Sequence, residues 1–203
     1  QFEEAYAMKD HLTHVSPRVQ NRNLPYTPVA PSDTMQNEPD TDFDLSQNQE
    51  WVRRIFAKWK KSGTEEPEII PLQIGAETVV CKNRYKYLDR CQNDEVCICE
   101  MSQADSAQVE KIIEIAETDP AGWRKTTLEE RHRIMYEAAN RLADMRGDLI
   151  GCMCAVTGKT VIEGDVEVSE AVDYARFYTT AMKKFAALDL SLIHISEPTR
   201  LRC

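Results

Sequence analysis

The chain has 203 residues, of which 42% are hydrophobic and 29% are charged, a composition typical of a globular protein with one or two small domains. Its formal net charge of −9 argues against nucleic-acid binding, because affinity for duplexes comes mainly from basic residues that neutralise phosphates. The longest apolar run, from Leu149 to Val156, is shorter than the roughly 18 to 20 residues of a membrane span. These features predict neither a membrane span nor a nucleic-acid partner.

The seven cysteines are an odd number in a chain whose N-terminus shows no export signal, so we expect no disulfide framework and a reducing cytoplasm. Cys97 with Cys99, and Cys152 with Cys154, are interpreted as small buried hydrophobes, because no neighbouring base is available to activate a thiolate. The four histidines have no acidic or cysteine partners at zinc-ligand spacing. No catalytic residue and no metal site is therefore predicted.

The N-terminal region is rich in Pro, Asn, Arg and Thr and becomes acidic towards its end. For residues 1–44 we predict an extended linker that begins with a short helical turn. Four prolines would break any helix in this region: Pro17, Pro25, Pro28 and Pro31.

A linker helix is predicted within residues 45–68. Ser46 and Gln49 have the spacing of a capping box, which satisfies two free N–H groups at a helix start. The helix should run to Lys61 and stop at Gly63. Its apolar residues recur at helical spacing: Trp51, Ile55, Phe56 and Trp59.

Two short stretches with β-like patterns follow the linker helix. They are Ile69 to Ile74 and Glu95 to Glu100, with polar turns around Gly75 and Asn93-Asp94. Together they predict a small hairpin or an edge ribbon.

Helical signals return after residue 104. Asp105 with Gln108 predicts a capped helix, and Thr127 with Glu130 opens a longer one. In the longer helix, apolar residues recur every three or four positions between Leu128 and Met145. The first of these helices has an apolar face: Val109, Ile112, Ile113 and Ala116.

Glycines are expected to divide the rest of the helical region. Gly147 and Gly151 should interrupt the long helix, Gly158 should end the next turns, and a last helix should run from about Asp165 to Leu188. Gly158-Lys159-Thr160 matches only the end of a phosphate loop, since Met153 stands where that motif needs a glycine. No Gly-x-Gly-x-x-Gly is present either, so no cofactor-binding residue is assigned.

Four blocks in a fixed order carry a family resemblance. They are Asp119-Pro-Ala-Gly-Trp-Arg-Lys-Thr-Thr-Leu-Glu-Glu-Arg, Arg146-Gly-Asp-Leu-Ile, Thr157-Gly-Lys-Thr, and Glu167-Val-Ser-Glu-Ala-Val-Asp-Tyr-Ala-Arg-Phe-Tyr. Over about residues 69 to 189 they resemble the N-terminal region of the aldehyde dehydrogenase superfamily. The resemblance implies an α/β fold whose N-terminal part, present here, is mostly helical with a small β hairpin.

A narrower resemblance lies upstream. Asn37-Glu-Pro-Asp-Thr-Asp-Phe is similar to the junction in bifunctional proline dehydrogenase and L-glutamate γ-semialdehyde dehydrogenases. It implies a parent enzyme of proline catabolism that oxidises this small aldehyde to glutamate with NAD. It also implies FAD in an upstream proline dehydrogenase domain if the parent is bifunctional. The parent is expected to be a cytoplasmic homo-oligomer.

The resemblance also implies that most of the catalytic apparatus is missing. In the family, the nucleophilic Cys, the general-base Glu and the nucleotide-binding Gly segments come after the position matched by Asp189. We therefore expect residues 69–189 to be an incomplete domain that binds no cofactor. Residues 190–203 begin Leu190-Ser-Leu-Ile-His-Ile-Ser-Glu-Pro-Thr-Arg and resemble a transposase-type sequencing adapter read as protein.

Glu170 and Tyr174 are the candidate substrate-binding residues. The helical period places Glu170 about 150° from the centre of the apolar face of the last helix. In the resembling family, the position six residues before the Arg matched by Arg176 borders the aldehyde tunnel. The resemblance thus implies that Glu170 orients the substrate, directly or through water, with Tyr174 as its neighbour. The mixed stripe on this side comprises Val166, Glu170, Asp173, Tyr174 and Phe177.

Three alternatives remain open. The stripe could pack on another element while Glu170 faces water. The parent could be an aldehyde dehydrogenase with another substrate, or the chain could be a non-catalytic helical interaction module. A module predicts a stable cooperative fold for residues 69–189, whereas a fragment should expose apolar helix faces and bind a hydrophobic dye.

Overall fold

The computed structural model describes residues 18–60, 66–92 and 96–188, which hold five α-helices and five short β-strands. The helices are α1 (Ser46–Trp59), α2 (Ser106–Thr118), α3 (Leu128–Asp144), α4 (Arg146–Thr157) and α5 (Val161–Ala186). The strands are β1 (Glu68–Ile70), β2 (Leu72–Ile74), β3 (Glu77–Val79), β4 (Arg84–Leu88) and β5 (Cys97–Ser102). A mostly helical chain with a small sheet confirms the predicted fold class.

Several sequence-based expectations fall outside the described residues. They concern the opening helical turn, the stop at Gly63, the turn at Asn93-Asp94, and the segment 190–203. Helix α1 itself ends at Trp59, two residues before the predicted Lys61, because Lys60 has an extended backbone.

The strands form two small sheets. In the larger one, β5 lies between β4, which is antiparallel to it, and β1, which is parallel to it with Ile69 opposite Glu100. The two β-like stretches therefore do pair, through β1 and β5, but the predicted hairpin between them is wrong because the two strands are parallel. The small hairpin is formed instead by β2 and β3 around Gly75, whose φ of 58° suits a tight turn. Because this hairpin and β4 lie between β1 and β5 in the chain, β1 can join β5 in parallel.

Two predicted helix starts are confirmed by their capping boxes. The Asp105 side chain accepts from the Gln108 N–H, and the Gln108 side chain accepts from the Asp105 N–H. Thr127 and Glu130 make the same reciprocal pair at the start of α3. These pairs satisfy donors that a helix start otherwise leaves free.

The other two helix starts differ from expectation. In α1 the Leu45 carbonyl already accepts the N–H groups of Asn48 and Gln49, so Ser46 lies inside the first turn and caps nothing. Helix α5 begins at Val161 rather than near residue 165. Its start is a capping box of Thr160 and Glu163, whose spacing is visible in the sequence.

Gly147 and Gly151 do not interrupt a helix, which corrects the sequence-based expectation. Both lie within α4, and the break between α3 and α4 falls at Met145. A Cβ atom added to Gly151 would lie 2.1 Å from Cδ1 of Trp59, so this glycine permits the close approach of α1. Gly158 ends α4 as predicted, with a φ of 74°.

The core lies where α3, α4 and α5 pack together. Its members are small or β-branched, which lets the helices approach closely. In contrast, α2 has no buried residue. Among the described helices, none is both long and apolar enough to cross a bilayer. The buried cluster comprises Ala139, Ala143, Ile150, Cys154, Val168, Val172 and Ala175.

Candidate functional site

The outer face of α5 is an exposed stripe that runs along the helix. Tyr174 is stacked on Tyr178 with ring centroids 5.9 Å apart, and Phe177 meets Tyr178 edge to face at 5.4 Å. Residues spaced by three or four positions share a helix face, which explains the continuity of the stripe. We call the following set the outer face: Ile162, Val166, Glu170, Tyr174, Phe177, Tyr178, Met182 and Phe185.

The two predicted site residues lie together on this face. Glu170 is exposed, and within the described part of the chain it has no hydrogen bond or ion pair. Tyr174 follows it by one helical turn and is 56% exposed. An unpaired carboxylate beside aromatic rings can accept hydrogen bonds while the rings cover an aliphatic chain.

Asp173 was wrongly assigned to the same stripe. It is half-buried, and its carboxylate accepts hydrogen bonds from the Asn37 amide and from the Glu38 backbone N–H, both at 2.7 Å. Its place on α5 therefore faces the N-terminal segment, residues 18–44, rather than the open side.

The inner face of α5 buries charged groups, which is unusual because charged residues are seldom fully buried. Nη1 of Arg146 lies 2.8 Å from Oδ1 of Asp165. The same carboxylate accepts from the backbone N–H and the hydroxyl of Thr41, both at 2.6 Å. Arg146 also donates to the Ser169 hydroxyl at 3.0 Å. The buried Asp165 carboxylate is therefore paired with the Arg146 cation, and both of its oxygens accept hydrogen bonds.

Glu38 joins two helices through one buried carboxylate. Oε2 accepts from Nη1 of Arg176 at 3.1 Å, and Oε1 accepts from Nη2 of Arg146 at 3.4 Å. The side chains of Glu38 and Arg176 are each 4% exposed. Arg22 lies beside this cluster, where burial lowers the pKa of its guanidinium and the charge of Arg146 acts in the same direction.

The N-terminal segment has no helix or strand, yet it is hydrogen-bonded to the helices, unlike a solvent-exposed linker. The Tyr26 hydroxyl donates to the Asn140 side chain of α3 at 3.0 Å, and the Tyr136 hydroxyl donates to the Ser32 carbonyl at 3.1 Å. Its polar residues, which suggested a solvated coil, have buried partners on α3, α4 and α5. Sequence reasoning missed this because Glu38 is 138 positions from Arg176.

Three cysteines of the described region are not activated. Burial raises the pKa of the thiols of Cys99, Cys152 and Cys154, which keeps them protonated near neutral pH. In residues 18–60, 66–92 and 96–188, no group of three or more His, Cys, Asp or Glu side chains is arranged to hold a metal ion. The Lys159 ammonium is paired with Glu167, nearly two turns into α5.

Residues 81–196 match the model of the aldehyde dehydrogenase family. The chain belongs to this family. The match starts well after the N-terminal segment and includes the first seven residues of the segment 190–203. The resemblance of that segment to a sequencing adapter stays a prediction.

Two relatives show how much of a family member this chain represents. The 1-pyrroline-5-carboxylate dehydrogenase of Geobacillus sp. (strain WCH70) is 30% identical over 149 residues, which are 73% of this chain and 28% of that protein. The enzyme of the same name from Bacillus pumilus (strain SAFR-032) is 26% identical over 151 residues, 74% of this chain and 28% of that protein. The chain thus spans a little over a quarter of these relatives.

Solved structures share the fold. Proline utilization A (PutA) from Bdellovibrio bacteriovorus, inactivated by N-propargylglycine, superposes with a TM-score of 0.69 at 22% identity, over 86% of this chain and 17% of that one. The 1-pyrroline-5-carboxylate dehydrogenase from Thermus with bound NAD gives a TM-score of 0.66 at 24% identity, over 73% and 28%. The described residues therefore have the fold of the N-terminal part of such a dehydrogenase.

Proposed function

We propose that this chain is the N-terminal part of an NAD-dependent L-glutamate γ-semialdehyde dehydrogenase of proline catabolism. The observation that carries the proposal is the 30% identity to a relative named 1-pyrroline-5-carboxylate dehydrogenase. The compound in that name, 1-pyrroline-5-carboxylate, is the cyclic form of the open-chain aldehyde glutamate γ-semialdehyde. The motif blocks between Asp119 and Tyr178 support the aldehyde dehydrogenase family, and the resemblance of Asn37-Glu-Pro-Asp-Thr-Asp-Phe supports the narrower assignment.

The chemistry of the proposed reaction belongs mainly to the rest of the protein. NAD bound there would supply the hydride acceptor. The sequence of this chain has no Gly-rich dinucleotide loop, and burial raises the pKa of the Cys99, Cys152 and Cys154 thiols. Its own contribution is to bind and orient the substrate.

Glu170 and Tyr174 are proposed to make this contribution. Glutamate γ-semialdehyde carries an α-ammonium group, for which an unpaired carboxylate is the complementary partner. Tyr174 offers an aromatic surface to the aliphatic chain and a hydroxyl to the substrate carboxylate. When the remainder of the domain covers the outer face, exclusion of water strengthens both contacts.

Replacement of Glu170 tests the proposal in the complete enzyme. Glu170→Ala should raise KM for the semialdehyde about ten- to a hundredfold, because a hydrogen bond to a charged group is worth roughly 1.5 to 3 kcal/mol. KM for NAD should barely change. Glu167→Ala, on the same helix but paired with Lys159, is the matched control and should leave KM for the semialdehyde within about twofold. Unchanged KM values for Glu170→Ala would show that Glu170 is a solvent-exposed residue without a role in substrate binding.

The isolated 203-residue chain provides a second test. Since we place the nucleophile, the general base and the nucleotide-binding loops in the rest of the protein, this chain should neither bind NAD measurably nor oxidise an aldehyde. Titration calorimetry with NAD and absorbance of reduced NAD check both points. Reduction of NAD by the purified chain would contradict the proposal that it is only a part of the enzyme.

A further inference from the structure

Two adjacent residues of the N-terminal segment hold α5 on both sides of Tyr174. Asn37 and Glu38 donate to the two carboxylate oxygens of Asp173, each at 2.7 Å. The Glu38 carboxylate accepts from Arg176 at 3.1 Å. Asp173 and Arg176 are three residues apart on α5, so these contacts oppose rotation of the helix around its axis.

The contact to α4 makes this attachment more restrictive. The Glu38 carboxylate also binds Arg146, whose side chain is 2% exposed and bonds Asp165 on α5. One carboxylate, itself 4% exposed, therefore connects α4 to α5 in the protein interior. In such surroundings an ion pair has a defined geometry, because displacing either charge leaves it unpaired.

We propose that Glu38 is a positioning residue, which sets the rotation of α5 and thereby the direction in which Glu170 meets the substrate. This inference rests on the proposed function. Glu38 lies before residue 81, where the family match begins, and no substrate contact is needed from it. A rotation of about 10° moves a group roughly 6 Å from the helix axis by about 1 Å. A displacement of this size can lower a rate on the order of a hundredfold.

The first experiment compares two destabilised variants of the complete enzyme. Glu38→Gln keeps the shape of the side chain and removes its charge. It should raise KM for the semialdehyde about tenfold and leave KM for NAD within about twofold. Val168→Ala removes apolar contact from the inner face without touching the charged cluster, so it should leave both constants within about twofold. Assays are made at a temperature at which circular dichroism shows both variants folded.

A milder variant covers the case in which Glu38→Gln does not fold. Asn37→Ala removes one hydrogen bond to Asp173 from an exposed residue and should raise KM for the semialdehyde about threefold. The inference is overturned if KM in Asn37→Ala, or in a folded Glu38→Gln, equals that of Val168→Ala.

A double-mutant cycle separates the two proposals. If Glu38 acts through Glu170, Glu38→Gln should change KM for the semialdehyde less than twofold in a Glu170→Ala background. Effects that multiply would overturn the positioning role. A Glu170→Ala enzyme with normal KM would refute both proposals. A raised KM in Glu170→Ala with a normal KM in Glu38→Gln would refute the positioning role alone.

Discussion

Helices α3 and α5 pack against each other but distribute their polar and aromatic side chains differently. Helix α3 buries Tyr136 and Ala139 and exposes ion-paired residues such as Glu137 and Arg141. Helix α5 also contributes apolar residues to the core, but it buries Arg176 with other polar groups and exposes its aromatic residues. The first pattern is that of an ordinary surface helix, whereas the second has charged groups on its buried face and aromatic residues on its exposed face.

The difference shows that α5 depends on groups outside itself. Its inner charges are stable because Glu38 and Thr41 of the N-terminal segment supply their partners. Its outer face can be aromatic because, in our proposal, the rest of the enzyme covers it. Buried polar and charged groups of the N-terminal segment thus hold α5 in place.

The largest expected effect comes from Arg146, an arginine of α4 that binds α5 and the N-terminal segment. Arg146→Ala would leave the buried Asp165 carboxylate without its ion-pair partner and would take one of two arginines from Glu38, which should lower the free energy of unfolding by about 3 to 5 kcal/mol. Arg141→Ala removes an exposed ion pair of α3 and should cost less than about 0.5 kcal/mol. Urea denaturation measures both values. Equal losses of unfolding free energy would show that the buried ion pairs at α5 stabilise the fold no more than the exposed ion pair of α3.

A smaller loss is expected when only one contact from the N-terminal segment is removed. Thr41→Val keeps the backbone bond to Asp165 and deletes the hydroxyl bond, which should lower the free energy of unfolding by about 1.5 to 3 kcal/mol. Thr34→Val, at an exposed position of the same segment, is the control and should change it by less than about 0.5 kcal/mol. If Thr41→Val is as stable as the control, the N-terminal segment contacts α5 without stabilising it.

The outer face should behave in the opposite way. Phe177→Gln should change the free energy of unfolding by less than about 0.5 kcal/mol, since the ring is 49% exposed. It should also reduce the fluorescence of a hydrophobic dye bound to the isolated chain. Arg133→Gln, on the exposed side of α3, should leave the dye signal unchanged. A large loss of stability in Phe177→Gln would mean that the outer face is already packed.

The smallest effect is expected at an exposed charge contact between α1 and α4. A hydrogen bond from Lys58 at 2.5 Å, together with one from the Trp59 indole, holds the pKa of Asp148 below the usual range of an aspartate. A carboxyl with a lowered pKa in the folded state stabilises the fold above its unfolded pKa and loses this contribution as pH falls through the folded pKa, below about pH 4. Asp148→Asn should therefore flatten the acid side of the stability curve, whereas Asp144→Asn should not.

What could be predicted from the sequence was local or came from the family resemblance. The capping pairs of α2 and α3 lie three residues apart and are visible directly. The common face of Glu170 and Tyr174 follows from the helical period. The roles of Glu38 and Asp173 were missed because their partners lie more than 100 positions away in the chain. Likewise, no local pattern distinguishes a parallel from an antiparallel partner for β1.

The most direct measurement is the coupling free energy between Glu38 and Arg176 in the isolated chain. Glu38→Gln, Arg176→Met and the double variant are unfolded in urea, and the coupling is taken from the cycle. Glu38→Gln leaves the buried Arg176 without its charge partner, and Arg176→Met leaves Glu38 with Arg146 as its remaining close partner, whereas the double variant removes both charges of the pair. We expect a coupling of about 2 kcal/mol or more. A coupling below about 0.5 kcal/mol would contradict this expectation.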